Sequence, residues 1–245
     1  MGKERATLVA AMGLLASTAA QATLWDRGGG LIYDDVLKIT WLQDANYAKT
    51  SGYDADGKMD WNAARAWADG LNYFDSVRKV TWSDWRLPSV SPVNGTAFND
   101  DWRYDGSTDE GYNITNPASE MSYMYYVNLG LKRYYSPTRA YQPDWGVFGN
   151  GTGGGQVDVG LAHNLQSHTY LSGTGYPPDL ASPWIFVTEL GAQDGGGFME
   201  LFAWAVRDGD VAAAAATPEP MSLALLGVGL AGVALVQRRR PLGAS

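Results

Sequence analysis

Trp184-Ile185-Phe186-Val187-Thr188 is an unbroken run of β-branched and aromatic residues. Such a run suits a pleated, buried strand better than a helix. Residues 168–172 before it and 202–207 after it also read as strands, with Gly195-Gly196-Gly197 turning the chain between the last two. Earlier, Leu31-Ile32-Tyr33, a turn at Asp34-Asp35 and residues 38–42 read as a strand pair. There Ile39 and Trp41 alternate with Lys38 and Thr40, the period of a half-buried strand.

Two helices are expected among these strands. Asp60 is placed to cap one over residues 61–71, whose Trp61, Ala64, Trp67, Ala68 and Leu71 share a face. Asn116-Pro117 offers an N-cap and a first helical residue for the second. Met121, Met124, Tyr125 and Leu129 would form its buried side, and Gly130 its stop. Residues 44–57, 89–115 and 134–164 are rich in Gly, Asn and Asp and read as loops. The expected class is α+β.

Both ends carry addresses. Lys3 and Arg5 precede a largely apolar run, and Ala20-Gln21-Ala22 offers a small-residue cleavage site, so residues 1–22 read as a signal peptide. At the other end, residues 212–217 form an alanine-rich linker. Pro218-Glu219-Pro220 follows, then uncharged residues 221–236, then Arg238-Arg239-Arg240. A span of this length is roughly 24 Å as a helix, short for a bilayer core of about 30 Å. The arginines favour the cytoplasmic side, which leaves the preceding domain outside. The order of Pro-Glu-Pro, span and arginines over residues 218–240 resembles the PEP-CTERM sorting signal of Gram-negative bacteria. The resemblance implies export by way of signal peptidase, a transient inner-membrane anchor, and processing by exosortase. The alternative is an ordinary C-terminal anchor.

Residues 23–217 hold 13 basic and 24 acidic side chains, a net charge of −11 with histidine neutral. An acidic surface of this size argues against nucleic acid as a partner. The chain has no cysteine, which removes disulfides, thiol nucleophiles and thiolate metal sites. Its two histidines, His163 and His168, are too few for most histidine metal centres.

Six blocks in the domain carry a second resemblance. They are Gly30-Leu31-Ile32-Tyr33, Thr40-Trp41-Leu42, the expected helix at 61–71, Asp84-Trp85-Arg86-Leu87-Pro88, Leu171-Ser172-Gly173-Thr174 and Phe202-Ala203-Trp204-Ala205-Val206-Arg207-Asp208-Gly209. Together they look like the domain family named after the C-terminal domain of the collagen-like adhesin Lcl, over residues 23–211. The resemblance implies a C-type-lectin-like fold: two helices around a twisted antiparallel sheet, with long loops on one side. The chain departs from the family pattern after Pro88 and at Leu171.

Candidate site residues follow from the loops and blocks. Trp102, Tyr104, Tyr112 and Trp145, with Tyr134, Tyr135 and Tyr141, are loop aromatics suited to stacking on sugar rings, or alternatively to packing the loops down. Asp54, Asp56 and Asp60 around Gly57 are the best calcium candidates, although Asp60 has a competing role as helix cap. Asp100, Asp101, Asp105, Asp109 and Glu110 form a second acidic cluster. Arg86 is expected to pair with a carboxylate such as Asp208, so that Trp85, Arg86, Trp204, Arg207 and Asp208 serve as a structural motif. No spacing singles out a catalytic pair of carboxylates or a nucleophile with its base. The sequence therefore ranks a non-enzymatic binding module for extracellular polysaccharide first. A self-associating matrix or envelope protein comes second and a polysaccharide hydrolase last.

Overall fold

The computed structural model describes residues 24–197 and 199–214. The signal peptide, Pro218, Glu219, Pro220, the span at 221–236 and Arg238, Arg239 and Arg240 lie outside the described residues. Among the described residues no helix is long and apolar enough to cross a membrane.

The chain opens with a meander of β1 (Leu24–Gly28), β2 (Leu31–Asp34) and β3 (Ile39–Leu42). A one-turn helix α1 (Tyr47–Thr50), the short β4 (Lys58–Met59) and α2 (Trp61–Asp69) follow. Next come the hairpin β5 (Tyr73–Asp75) and β6 (Val80–Trp82), then β7 (Trp85–Arg86), β8 (Trp102–Arg103) and β9 (Glu110–Tyr112). Helix α3 (Glu120–Tyr123) runs on as a π turn over Met124–Asn128. The chain closes with β10 (Gln156–Val159), β11 (Ala162–Gln166), β12 (Thr169–Tyr176), β13 (Asp179–Val187), β14 (Ala192–Gly195), β15 (Leu201–Phe202) and β16 (Val206–Asp208). The class is α+β, dominated by strands.

Two sheets carry the architecture. One has the order β1-β2-β3-β16-β7, the other β4-β15-β12-β13-β14-β9-β8. Most pairs are antiparallel, but β12 with β15 and β8 with β9 run parallel, so the larger sheet is mixed.

The run 202–207, expected as one strand, is two strands in different sheets. Residues 203–205 carry the chain from β15 to β16 and are wholly buried. The break has a physical cause at Trp204. Its indole Nε1 donates to the Leu42 carbonyl at 2.6 Å, while Leu42 N donates to the Ala205 carbonyl at 3.1 Å. The Trp204 ring then lies 4.8 Å from Trp41 and 6.2 Å from Tyr170, so one residue joins the inner faces of both sheets.

Helix α2 starts where Asp60 Oδ1 accepts from Ala63 N at 2.8 Å. It buries Ala64, Trp67 and Ala68. The second helix begins later than expected. Asn116 Oδ1 accepts from Ala118 N and closes a local turn instead, and the helix takes Ser119 as its N-cap. Gly130, at φ +63°, ends the helical stretch. The loop expected over 134–164 contains the β10–β11 hairpin, and the Gly195-Gly196-Gly197 turn is preceded by the additional strand β14.

Candidate functional site

The seven loop aromatics converge. Trp102 meets Tyr112 edge-on at 5.6 Å, and Tyr104 stacks on Tyr112 at 5.7 Å with the planes 8° apart. Tyr135 stands edge-on to both tyrosines, and Tyr134 joins it at 4.6 Å. Tyr134 in turn meets Tyr141 at 5.2 Å and Trp145 at 5.0 Å. These rings come from the β8–β9 edge of the larger sheet and from the loop after the π turn.

The Asn113 side chain ties the two loops together. Asn113, at φ +66°, donates from Nδ2 to the carbonyls of Tyr104 and Tyr135. Tyr134 N donates to the Leu190 carbonyl, and Tyr135 bridges Tyr141.

The rings divide by exposure. Trp102 is 39% exposed and Tyr141 57%, whereas Tyr112 is 5% exposed and Trp145 8%. Tyr112 and Trp145, expected among the ligand-contacting rings, are instead the floor that holds the others. Burial pushes the Tyr112 hydroxyl up to about 12. The Arg139 guanidinium lies 5.1 Å over Tyr104, on the outer side of the stripe. The result is an aromatic strip with exposed rings at Trp102 and Tyr141 and a cation beside Tyr104. Such rings stack on the apolar faces of ring compounds while phenol hydroxyls and guanidinium donors meet polar groups.

Beside the strip, β9 and β14 pair with Gly111 opposite Gln193 and Tyr112 opposite Ala192, which sets Glu110 against Asp194. Tyr176 Oη donates to Glu110 Oε2 at 2.8 Å. Burial raises the pKa of both carboxyls; for Glu110 the facing Asp194 charge adds to the rise. This pair, 84 positions apart in sequence, was not visible in any local motif.

The acidic loops serve backbone donors. Asp54 Oδ1 accepts from Asp56 N at 3.0 Å and Gly57 N at 2.8 Å, and Asp56 Oδ1 from Lys58 N at 3.0 Å. Asp60 caps α2. Each carboxylate closes its own turn, and among the described residues no three His, Cys, Asp or Glu side chains group to hold a metal ion. The calcium candidates Asp54, Asp56 and Asp60 are thus placed as turn and cap acceptors. The second acidic cluster also separates. Asp109 is 1% exposed and staples the long loop, accepting from Val93 N at 2.6 Å and Asn99 N at 2.7 Å.

The paired arginine blocks form a lattice between β7 and β16. Arg86 Nη2 donates to Asp208 Oδ1 at 2.7 Å, and both its Nη atoms donate to Glu120 at 2.8 Å. Arg207 forks onto Asp84, with both distances 2.8 Å, and stacks 4.2 Å over the Trp82 ring. Trp85 is buried and donates from Nε1 to the Trp82 carbonyl.

Residues 216–240 match the PEP-CTERM protein-sorting motif. The chain is therefore an exosortase-sorted bacterial protein, exported to the surface or the extracellular space. A search of curated proteins and of solved structures found no match.

Proposed function

We propose that this exosortase-sorted protein delivers a non-enzymatic, lectin-like module that binds extracellular polysaccharide in the biofilm matrix of a Gram-negative cell. The observation that carries this reading is the aromatic strip, with Trp102 and Tyr141 exposed above a floor of Tyr112 and Trp145. Contiguous aromatic surface, unlike single exposed rings, marks interaction sites, and here two distant loops are bonded together to form it. The sorting motif supports the reading in that an exported domain meets extracellular ligands. The acidic domain favours neutral sugars over polyanions. Calcium is not required by this reading, since the loop carboxylates already serve backbone donors.

A glycan array probed with the full chain in mild detergent, with and without a calcium chelator, tests it. The reading expects binding to neutral glycans that the chelator leaves unchanged. Absence of binding in both conditions would sink it. The competing reading, self-association, is favoured by β1, an edge strand that exposes Trp25. Light scattering of the same sample would show defined oligomers without glycan if that reading were correct.

A further inference from the structure

Helix α2 presents Asn62, Arg65 and Asp69 to solvent, spaced to lie along one face. Two cavities, of about 570 and 550 Å³, open beside this face, and both are lined by Asn62 and Arg65. The first is walled by Trp85, Leu87, Ser89 and Thr174. The second is walled by Trp61, Leu180, Pro183 and Met199, of which Leu180 and Met199 are among the most exposed apolar side chains described. Both linings offer hydrogen-bonding groups as well as apolar contacts.

The two arginines at the groove differ. Arg86 already donates to Glu120, Asp208 and the Leu87 carbonyl. Arg65 has no carboxylate within salt-bridge distance among the described residues, and its guanidinium rests 5.1 Å over Trp61. The Trp61 ring is itself fixed, because its Nε1 donates to the Ser172 carbonyl at 2.8 Å. Arg65 thus offers an oriented set of donors, Asp69 an acceptor and Asn62 both. Donors and acceptors interleaved over apolar walls suit a compound that carries hydroxyl groups on apolar ring faces. Asp60, Asp69, Glu120 and Asp208 around the groove outnumber Arg65 and Arg86, so the field there disfavours an anionic ligand.

We infer that the groove along α2 is a second binding site, taking a segment of a neutral oligosaccharide. The choice of ligand class rests on the polysaccharide-binding reading; the site itself is separate from the aromatic strip. Helix α2 packs on β4, β7 and β12, whereas the strip lies on β8 and β9, and β4 and β8 are opposite edges of the seven-stranded sheet. One domain with two such sites bridges neighbouring polysaccharide chains and gains avidity on a single long one.

Calorimetric titration of the full chain in mild detergent with soluble neutral hexasaccharides (β-glucan, mannan and galactan), and with hexagalacturonate as the acidic arm, tests the inference. The wild type is expected to take up two neutral ligands per chain. Asn62→Ala with Asp69→Ala, and separately Arg65→Gln, should weaken one of these sites about tenfold, a loss of roughly 1.4 kcal/mol, with the melting temperature unchanged because these side chains face solvent. Trp102→Ala with Tyr141→Ala should remove the other site only. One site per chain, lost in the Trp102/Tyr141 variant and unaffected by both groove variants, would overturn the groove while leaving polysaccharide binding intact. Tighter uptake of hexagalacturonate than of any neutral ligand would overturn the ligand class. No uptake by the wild type would overturn both readings together.

Discussion

Arg86 and Glu120 form a two-pronged ion pair, Nη1 to Oε2 and Nη2 to Oε1 both at 2.8 Å, that ties β7 to the start of α3. Glu120 also accepts from Ser89 N at 2.7 Å, so its carboxylate anchors the chain just after β7 as well. Asp208 reaches the same guanidinium from the opposite strand, but its side chain is 79% exposed where that of Glu120 is 10%. Removing one partner of a buried pair leaves the other charge unmatched, whereas an exposed pair contributes little. Glu120→Ala is expected to cost about 3 kcal/mol and Asp208→Ala less than about 1 kcal/mol. Urea unfolding of the two variants checks this; equal losses would contradict the assignment of Glu120 as the main anchor of Arg86.

Trp204 links the two sheets through its ring and through its bond to Leu42. Trp204→Ala should cost about 4 kcal/mol, the range for deleting a buried aromatic. Trp25→Ala, at an exposed position on β1, should cost well under about 1 kcal/mol. Thermal unfolding followed by tryptophan fluorescence separates the two outcomes, and similar losses would contradict the placement of Trp204 at the junction.

The facing carboxyls Glu110 and Asp194 make a pH-dependent contribution. Both have folded-state pKa values raised above their ordinary ones. Groups raised in this way stabilise the fold while protonated, at and below the ordinary carboxylate range, and lose that contribution as pH rises through their folded values. Asp194→Asn removes the repulsion between like charges opposed across two strands. It should raise the melting temperature at pH 7 and change it little at pH 4. A variant less stable than wild type at pH 7 would contradict repulsion between the two carboxyls at that pH.

The turn at Asp54, Asp56 and Asp60 is predicted to need no metal. Millimolar calcium should leave the melting temperature unchanged, and Asp60→Ala should cost about 1 kcal/mol through the lost helix cap. A calcium-dependent rise in melting temperature that Asp54→Asn abolishes would contradict the placement of these side chains.

The parts of the fold legible from sequence were those set by local chemistry. The cap at Asp60 and the β-branched and aromatic run at 184–188 act within a few residues. The alternation of Ile39 and Trp41 with Lys38 and Thr40 misled: Lys38 lies in the turn before β3, and Thr40 is as buried as its neighbours, its hydroxyl donating to the Gly209 carbonyl. The run 202–207 looks like one strand because each residue favours extended backbone, and only the distant carbonyl of Leu42 shows where it changes sheets. Asn116 and Ser119 are both competent caps, and the bond from Ser119 to Gln193 accompanies the choice of the later one. In β10, Val157 and Val159 alternate with Gln156 and Asp158, a strand signal obscured by the glycines at 151–155. The loop aromatics could be named from sequence. Which of them face solvent depended on how residues 102–112 meet residues 134–145, and no local pattern encodes that meeting. The opposition of Glu110 and Asp194 has the same origin.

The most direct test of the polysaccharide-binding account is cosedimentation of the full chain, in mild detergent, with insoluble extracellular polysaccharide from the producing bacterium. Wild type should be compared with Trp102→Ala plus Tyr141→Ala, and with Trp25→Ala plus Phe74→Ala, which removes two exposed rings outside the strip. Loss of two stacking contacts predicts roughly tenfold weaker binding for the first double variant and wild-type binding for the second. Equal binding by all three proteins, or none by the wild type, would contradict the account.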